Sequence, residues 1–353
     1  MIPKNKKIAL LHPKVDTIGG AVKMMIFLGN FLKDKGNEVY FFTSSYDKDL
    51  FSKDISFPVR VIKNKIKISF EIRKYDFIII GNSPMQFVGV LSKILFLSKA
   101  RILWWHHHYP WYYSENKGFK IFLKRYLEKF FLNFIDLLIG NSLYIEQALK
   151  EIYKKEVKIL NPIVDKEFLL YKNKKLAFDS KIVISYSRWV EGKNVKQIFE
   201  TYEYLKENLK NFKLIIGGEG IELQKYKKKY KGIENIEFLG TINKETIISN
   251  LEKSNLFLFP SDIDSFGISA LEAMFVGIPV VAFDKKGVRE IVQNGRNGYL
   301  VSSSKEFSEK TLEILSEKNK NIKLSTGAIK TREKFTIDRF EKQLEDIFLK
   351  IKG

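Results

Sequence analysis

Two carboxylates, two cations and several glycines stand in short stretches that suit an anionic, hydroxyl-rich ligand. In DSFGISALEA (264–273), Asp264 opens a segment that reads as a helix from about Ser265 and Phe266. Glu272 follows eight residues later among Leu271, Ala273, Met274 and Phe275. A helix advances ~100° per residue, so acids eight apart point roughly the same way, toward its N-terminal end. Capping free N–H groups and complementing the helix dipole account for Asp264, but not for an acid at 272 in apolar company. The free N–H groups of a helix start form an anion site, and Gly267 permits close approach. Glu272, deeper in the helix, suits the hydroxyls of a ribose or sugar; the competing reading is a cap followed by a structural buried acid.

SRWVEGKN (187–194) puts Arg188 and Lys193 five residues apart across a glycine turn. Such a pair can clamp a diphosphate, the guanidinium on two oxygens and the ammonium as a point charge; alternatively both are solvated. TIGGA (17–21) offers two glycines for close approach but lacks the G-x-G-x-x-G spacing of a dinucleotide site. WWHHHYPWYY (104–113) crowds His106, His107 and His108 between aromatic residues. Strand alternation would put His106 and His108 on one side and His107 on the other. No carboxylate has helical spacing to these histidines, so they read as hydroxyl-binding rather than metal-binding, even with His12 nearby. The aromatic faces suit a sugar or lipid, and packing claims at least Trp104 and Trp105.

The elements around these stretches alternate. Strand-like runs at 6–12, 37–43, 75–81, 101–106 and 136–141 are separated by helical patterns at about 20–35, up to 97, and 117–134. A second series has strands at 181–187, 212–218, 236–240, 256–260 and 280–283, with helices at 194–209, 221–230 and 243–253. Short, doubly apolar strands with helices between them predict parallel sheets covered on both faces. At 353 residues two domains are expected, with the seam in the poorly periodic 161–181 segment. The expected division is 1–165, 166–335, and a last helix at 336–353 that returns to the first domain. Ligands bind beyond the C-terminal strand ends of such sheets, where the polar and glycine residues gather, so the chemistry is expected between the domains.

The chain carries a formal net charge of +20, with 27 Lys and Arg against 15 Asp and Glu in the first 165 residues. That balance favours phosphorylated ligands, anionic lipid or nucleic acid, but no groove-reading module supports nucleic acid. With no cysteine, disulfides, thiolate metal sites and cysteine nucleophiles are excluded. The apolar run in the first 14 residues is too short for a signal peptide, and no apolar run reaches the ~18 residues of a membrane span. A cytoplasmic protein is expected. ENKGFKIFLKRYLEKFFLNFI (115–135) interleaves Lys117, Lys120, Lys124, Arg125 and Lys129 with phenylalanines, the pattern of a helix lying on an anionic membrane surface.

Taken together, these motifs resemble the retaining glycosyltransferases of family 4. The most specific stretch is 260–301, with Asp264, Phe266-Gly267, Glu272, Gly277 to Val281, Gly287, Glu290-Ile291 and Asn297-Gly298 in the family order. Arg188, Lys193-Asn194, Gly217-Gly218, Gly220, Leu239-Gly240 and Asn141-Ser142 also match. The resemblance implies an α/β GT-B fold, two doubly wound Rossmann-like domains facing each other across a cleft. It implies transfer from a UDP- or GDP-sugar to a glycan or lipid-linked acceptor, without a cofactor or metal. Arg188 and Lys193 would stabilise the departing diphosphate, Glu272 would hold the ribose, and Asp264 would meet the donor sugar. His108, in the His-aromatic-Pro form of the family motif, is preferred over His106 and His107 for the sugar. Donor contacts are assigned to Gly19, Gly20, Gly218, Leu239, Ser265, Phe266, Gly267 and Ile268. One departure is Asp264, where the family usually has Glu; its reach is one methylene shorter. A non-catalytic carbohydrate-binding protein that keeps the fold is the alternative.

Overall fold

The computed structural model describes residues 1–17, 19–110, 119–172 and 180–351. The chain divides into one compact unit of Met1–Pro162 with Ile337–Gly353, and a second of Ile163–Thr336. The first holds a sheet of β1 (Lys7–Leu11), β2 (Glu38–Thr43), β3 (Val59–Val61), β4 (Phe77–Ile80), β5 (Arg101–His106), β6 (Leu137–Gly140) and β7 (Val157–Ile159), ordered 3-2-1-4-5-6-7. The second holds β8 (Ile182–Tyr186), β9 (Lys213–Gly217), β10 (Ile236–Gly240), β11 (Leu256–Phe259), β12 (Val280–Phe283) and β13 (Gly298–Val301), ordered 10-9-8-11-12-13. Neighbouring strands run parallel throughout both sheets.

The doubly apolar strand sequences have a direct structural cause in the second unit. Successive side chains leave opposite faces of a strand, so Ile184, Phe257, Val280 and Ala282 join one core with Ala270, Leu271 and Met274. Val183, Leu258 and Val281 enter the other, against Ile198, Phe199 and Phe307. In the first unit, the C-terminal helix Ile337–Lys350 packs Phe340 edge-on to Phe27 and Phe31, and Phe348 edge-on to Phe77.

Strand order reverses direction between β1 and β4, and again between β8 and β11. The loops leaving such a pair of strands part to opposite sides and open a crevice. Arg188 and Lys193 follow β8, and Asp264 to Gly267 follow β11. Residues 316–334, polar in sequence, contain the helix Lys318–Lys330. Its buried positions Asn321, Leu324, Ser325 and Ala328 keep helical spacing, but mostly with small or polar residues, so hydropathy does not reveal the stripe.

Candidate functional site

In the Ile163–Thr336 unit, the loops after β8 and β11 are tied together by charge and backbone. Lys193 Nζ lies 2.5 and 2.6 Å from the two Asp264 carboxylate oxygens. Asp262 donates its N–H to the Gly192 carbonyl at 2.9 Å. Gly192 has φ +81°, and a Cβ there would sit 2.3 Å from Ile263 Cγ2, so only glycine lets the two loops meet this closely. Arg188 is exposed and pairs with no carboxylate among the described residues. With Glu191 between Arg188 and Lys193 in the same loop, the two loops carry no net positive charge, and Arg188 is the exposed cation beside the two helix starts.

Those starts differ from the expectation. The helix runs from Ile268 to Val276, not from Ser265 or Phe266, and its first flanking residue is Gly267 at φ 101°, ψ 54°. No side chain caps it. Asp264 is thus neither a cap nor part of the helix, and the angular argument linking it to Glu272 does not apply; its partner is Lys193. The helix Val195–Asn208 likewise begins after Asn194 in a left-handed conformation without a side-chain cap. Elsewhere in the unit, Asn243 and Ser303 cap their helices, while the helices Lys166–Leu169, Ile221–Lys229 and Lys318–Lys330 also start without a side-chain cap. The starts beside the β8/β11 crevice keep N–H groups that no side chain of their N-cap residues satisfies.

Glu272 is only 3% exposed. Tyr186, at the end of β8, donates its hydroxyl to Glu272 Oε2 at 3.0 Å and also lies 3.3 Å from the Ser269 carbonyl. Burial, and then the Glu272 charge, push the Tyr186 phenol well above its ordinary range, which keeps it a donor. The site residues in the 265–268 turn are set differently from one another. Ser265 is buried, Phe266 packs edge-on to Phe335 in the core, and Ile268 is half-buried. With its ring in the core, Phe266 can offer a ligand only its backbone. A Cβ on Gly218 (φ +90°) would lie 2.0 Å from the Ser187 carbonyl oxygen, so this glycine lets the β9 loop press against the Arg188 loop. Leu239, near the end of β10, is half-buried against the core that contains Ala270 and Leu271.

In the other unit, Gly19 flanks the helix Gly20–Asp34, which no side chain caps. A Cβ on Gly19 would meet nothing within 4 Å, so neither packing nor conformation demands glycine there. His12 Nδ1 donates to the Lys14 carbonyl at 2.7 Å, leaving Nε2 to accept from Asn82 at 3.4 Å across the β1/β4 reversal. His106 and His107 are buried against Trp104 and Trp105, with ring centroids 4.0 and 4.3 Å apart. Of the three neighbouring histidines only His108 is exposed. Desolvation lowers His12 to about 4 and His106 to about 3. Among the described residues no three His, Asp or Glu side chains form a metal-binding group. Trp111, Tyr112, Tyr113 and Lys117 lie outside the described residues.

Two family models match this chain, Glycosyltransferase Family 4 over residues 18–168 and Glycosyl transferases group 1 over residues 168–331. The chain belongs to the family 4 glycosyltransferases. It is 24% identical to the alpha-1,3/1,6-mannosyltransferase ALG2 of Dictyostelium discoideum, with 99% of each chain covered. It is also 24% identical to an uncharacterized glycosyltransferase of Haemophilus influenzae, covering 84% of this chain and 86% of the relative. The structure of Anabaena Alr3699/HepE in complex with UDP-glucose aligns at a TM-score of 0.80 and 18% identity, covering 98% of this chain and 99% of that one. The fold is GT-B.

For this glycosyltransferase, sequence reasoning missed Tyr186 and Gly192. Tyr186 ends a mostly apolar strand, and its pairing with Glu272, 86 residues away in sequence, leaves no local signal. Gly192 sits inside the quoted SRWVEGKN motif, but its need for glycine depends on Ile263, which is distant in sequence.

Proposed function

We propose that this glycosyltransferase moves a sugar from a nucleotide-sugar donor, a UDP- or GDP-sugar, to a glycan or lipid-linked acceptor, with retention of configuration and without a metal. The observation that carries the reading is the Lys193–Asp264 pair, which joins the β8 and β11 loops beside two helix starts without side-chain caps. Helix N–H groups, Arg188 and Lys193 face negative charge well, and that charge grows on the diphosphate as it leaves. Glu272, fixed by Tyr186, accepts from the ribose hydroxyls, and Asp264 accepts from the donor sugar. The bond between the anomeric carbon and the diphosphate oxygen breaks, and the acceptor oxygen bonds to that carbon on the same face. A donor phosphate oxygen takes the acceptor proton. The UDP-glucose complex of the HepE neighbour supports a nucleotide sugar as the donor class.

The test is a panel of nucleotide sugars screened for thermal protection, since a ligand of the native state raises its stability. The protecting donor is then used in transfer assays. Arg188→Ala, at an exposed position, is expected to abolish transfer while melting like the parent, and Glu272→Gln, which keeps an acceptor for Tyr186, to cut transfer sharply while still melting cooperatively; transfer at parental rates in both would leave only a carbohydrate-binding role.

We also propose peripheral attachment to the anionic cytoplasmic face of a membrane. Three helices of the first unit, Lys65–Ile72, Met85–Phe96 and Phe119–Phe131, expose Phe70, Leu95, Tyr126 and Phe130 near Lys67, Arg73 and Lys129. Leu97, just beyond the second helix, is 84% exposed. Apolar side chains ringed by cations suit the headgroup boundary of anionic lipid. No described helix is long and apolar enough to cross a membrane. Sedimentation with phosphatidylglycerol vesicles at low salt should carry the enzyme down, and Leu95→Ser with Leu97→Ser should release it; no binding by the parent would end this part.

A further inference from the structure

The Ile163–Thr336 unit contains a second hollow that the transfer reaction does not use. It has a volume of about 730 Å³ and lies between the Gln293–Asn297 turn and the segment from Lys323 to Lys334. None of the residues assigned above to the donor lines it. Its walls carry four cations, Arg296, Lys323, Lys330 and Lys334, against one carboxylate, Glu333. None of the four forms an ion pair with a described carboxylate, whereas nearby Lys310 and Lys320 both pair with Glu313, at 2.7 and 2.5 Å. Like charges around one hollow repel, and an anion between them relieves that repulsion.

The wall is also built rather than draped. Gln293 N–H donates to Asn297 Oδ1 at 2.7 Å, and Asn297 Nδ2 donates to the Ile291 carbonyl at 2.8 Å and to Thr331 Oγ1 at 3.0 Å. A Cβ on Gly327 would lie 1.8 Å from the Arg296 carbonyl oxygen, so the helix is pressed onto the turn that carries Arg296. We infer that this hollow is a second ligand site, for a phosphorylated small molecule the size of a sugar phosphate. A volume of this order is that of a small-ligand pocket (~300–1,000 Å³), and the four cations select phosphate oxygens over neutral sugars. Two residues lining the hollow, Asn297 and Thr331, touch the helix that carries Glu272. Asn297 Nδ2 and Thr331 Oγ1 lie 3.8 and 3.7 Å from Met274 Sδ, two residues from that glutamate.

The test is acetylation footprinting by mass spectrometry with two probes, inorganic pyrophosphate and glucose 6-phosphate, at matched ionic strength and with glucose as the neutral control. At a probe concentration of twice Kd, Lys323, Lys330 and Lys334 should acetylate about threefold more slowly, because about one third of sites remain free. Lys305, exposed on another helix, should be unaffected. The same protection is expected in Arg188→Ala/Lys193→Ala, which separates this hollow from the donor site. Arg296→Ala/Lys330→Ala, both exposed positions, should melt like the parent and lose protection at Lys323 and Lys334. Protection by glucose 6-phosphate but not pyrophosphate, or the reverse, identifies which phosphate source the site takes. Unchanged acetylation with both probes, or equal slowing at Lys305, overturns the proposal.

Discussion

Removing a single hydroxyl, Tyr186→Phe, asks whether Glu272 can bind a ribose only because it is held in place. The ring packs edge-on to Phe257 with centroids 5.0 Å apart, and phenylalanine preserves that contact. What is lost is the 3.0 Å bond to Glu272 Oε2 and the weaker 3.3 Å approach to the Ser269 carbonyl. A hydrogen bond to a charged group contributes ~1.5–3 kcal/mol, and at ~1.4 kcal/mol per decade that corresponds to roughly 10–150-fold in affinity. The loss should fall on the part of the ligand that Glu272 touches. Binding is measured by calorimetry with the nucleoside diphosphate that best protects the parent among UDP, GDP and ADP, and with its 2′,3′-dideoxy analogue. The variant should bind the ribose form at least tenfold more weakly, while the dideoxy form binds parent and variant alike. The two mutations Tyr186→Phe and Glu272→Gln should also be non-additive, as expected for groups acting through each other. Equal binding of the ribose form, or an equal loss with the dideoxy form, would refute the positioning role.

Gly218→Ala places a side chain at φ +90° and 2.0 Å from the Ser187 oxygen, so a loss of roughly 3 kcal/mol is expected, read as a lower urea midpoint for the second unit. Asp264→Glu restores the usual family length to an acid whose two oxygens both engage Lys193, and should reorder donor sugars by about tenfold or more in kcat/KM. An unchanged ranking would remove Asp264 from sugar recognition. His12 and His106 are held neutral, near 4 and 3, whereas in the unfolded chain each titrates near 6.5. The unfolded chain therefore takes up more protons, and stability present above pH 6.5 falls on acidification by up to ~1.4 kcal/mol per pH unit per histidine. Urea melts at pH 7 and 5 followed by tryptophan fluorescence should show this, and His106→Gln should flatten the slope; a flat parental profile would contradict neutral burial.

Both sheets were legible because their strands are apolar on both faces, as the split of Val183 and Ile184 between two cores shows. The meeting of the β8 and β11 loops was legible too, since parallel sheets put their loops at the strand ends and Arg188, Lys193 and Asp264 all stand there. Other features depended on contacts that no local pattern carries. The start of the 268–276 helix is set by Gly267, whose φ of 101° ends the turn two or three residues later than hydropathy suggests. The helix Lys318–Lys330 hides its buried stripe in Asn321 and Ser325, which bond to the Asn255 and Gly277 carbonyls. Phe266 reads as part of a ligand-binding motif, yet its ring is core.

The glycines at the crevice explain why its helix starts have no side-chain caps. Gly220 adopts φ 158° with ψ 160°, a region essentially closed to other residues, and a Cβ there would lie 2.0 Å from the Trp189 carbonyl oxygen. Gly267 is likewise left-handed. Neither position can be a serine or aspartate, the residues that would satisfy the first N–H groups. The backbone paths that bring the β8, β9 and β11 loops together thus forbid the capping residues at two of the helix starts. Glycine in place of a capping side chain forgoes only a few tenths of a kcal/mol, which in the 268–276 helix the packing of Ala270, Leu271 and Met274 in the core offsets. In the proposed donor complex, the diphosphate would supply the missing acceptor at these starts, its charge met by groups oriented before it binds.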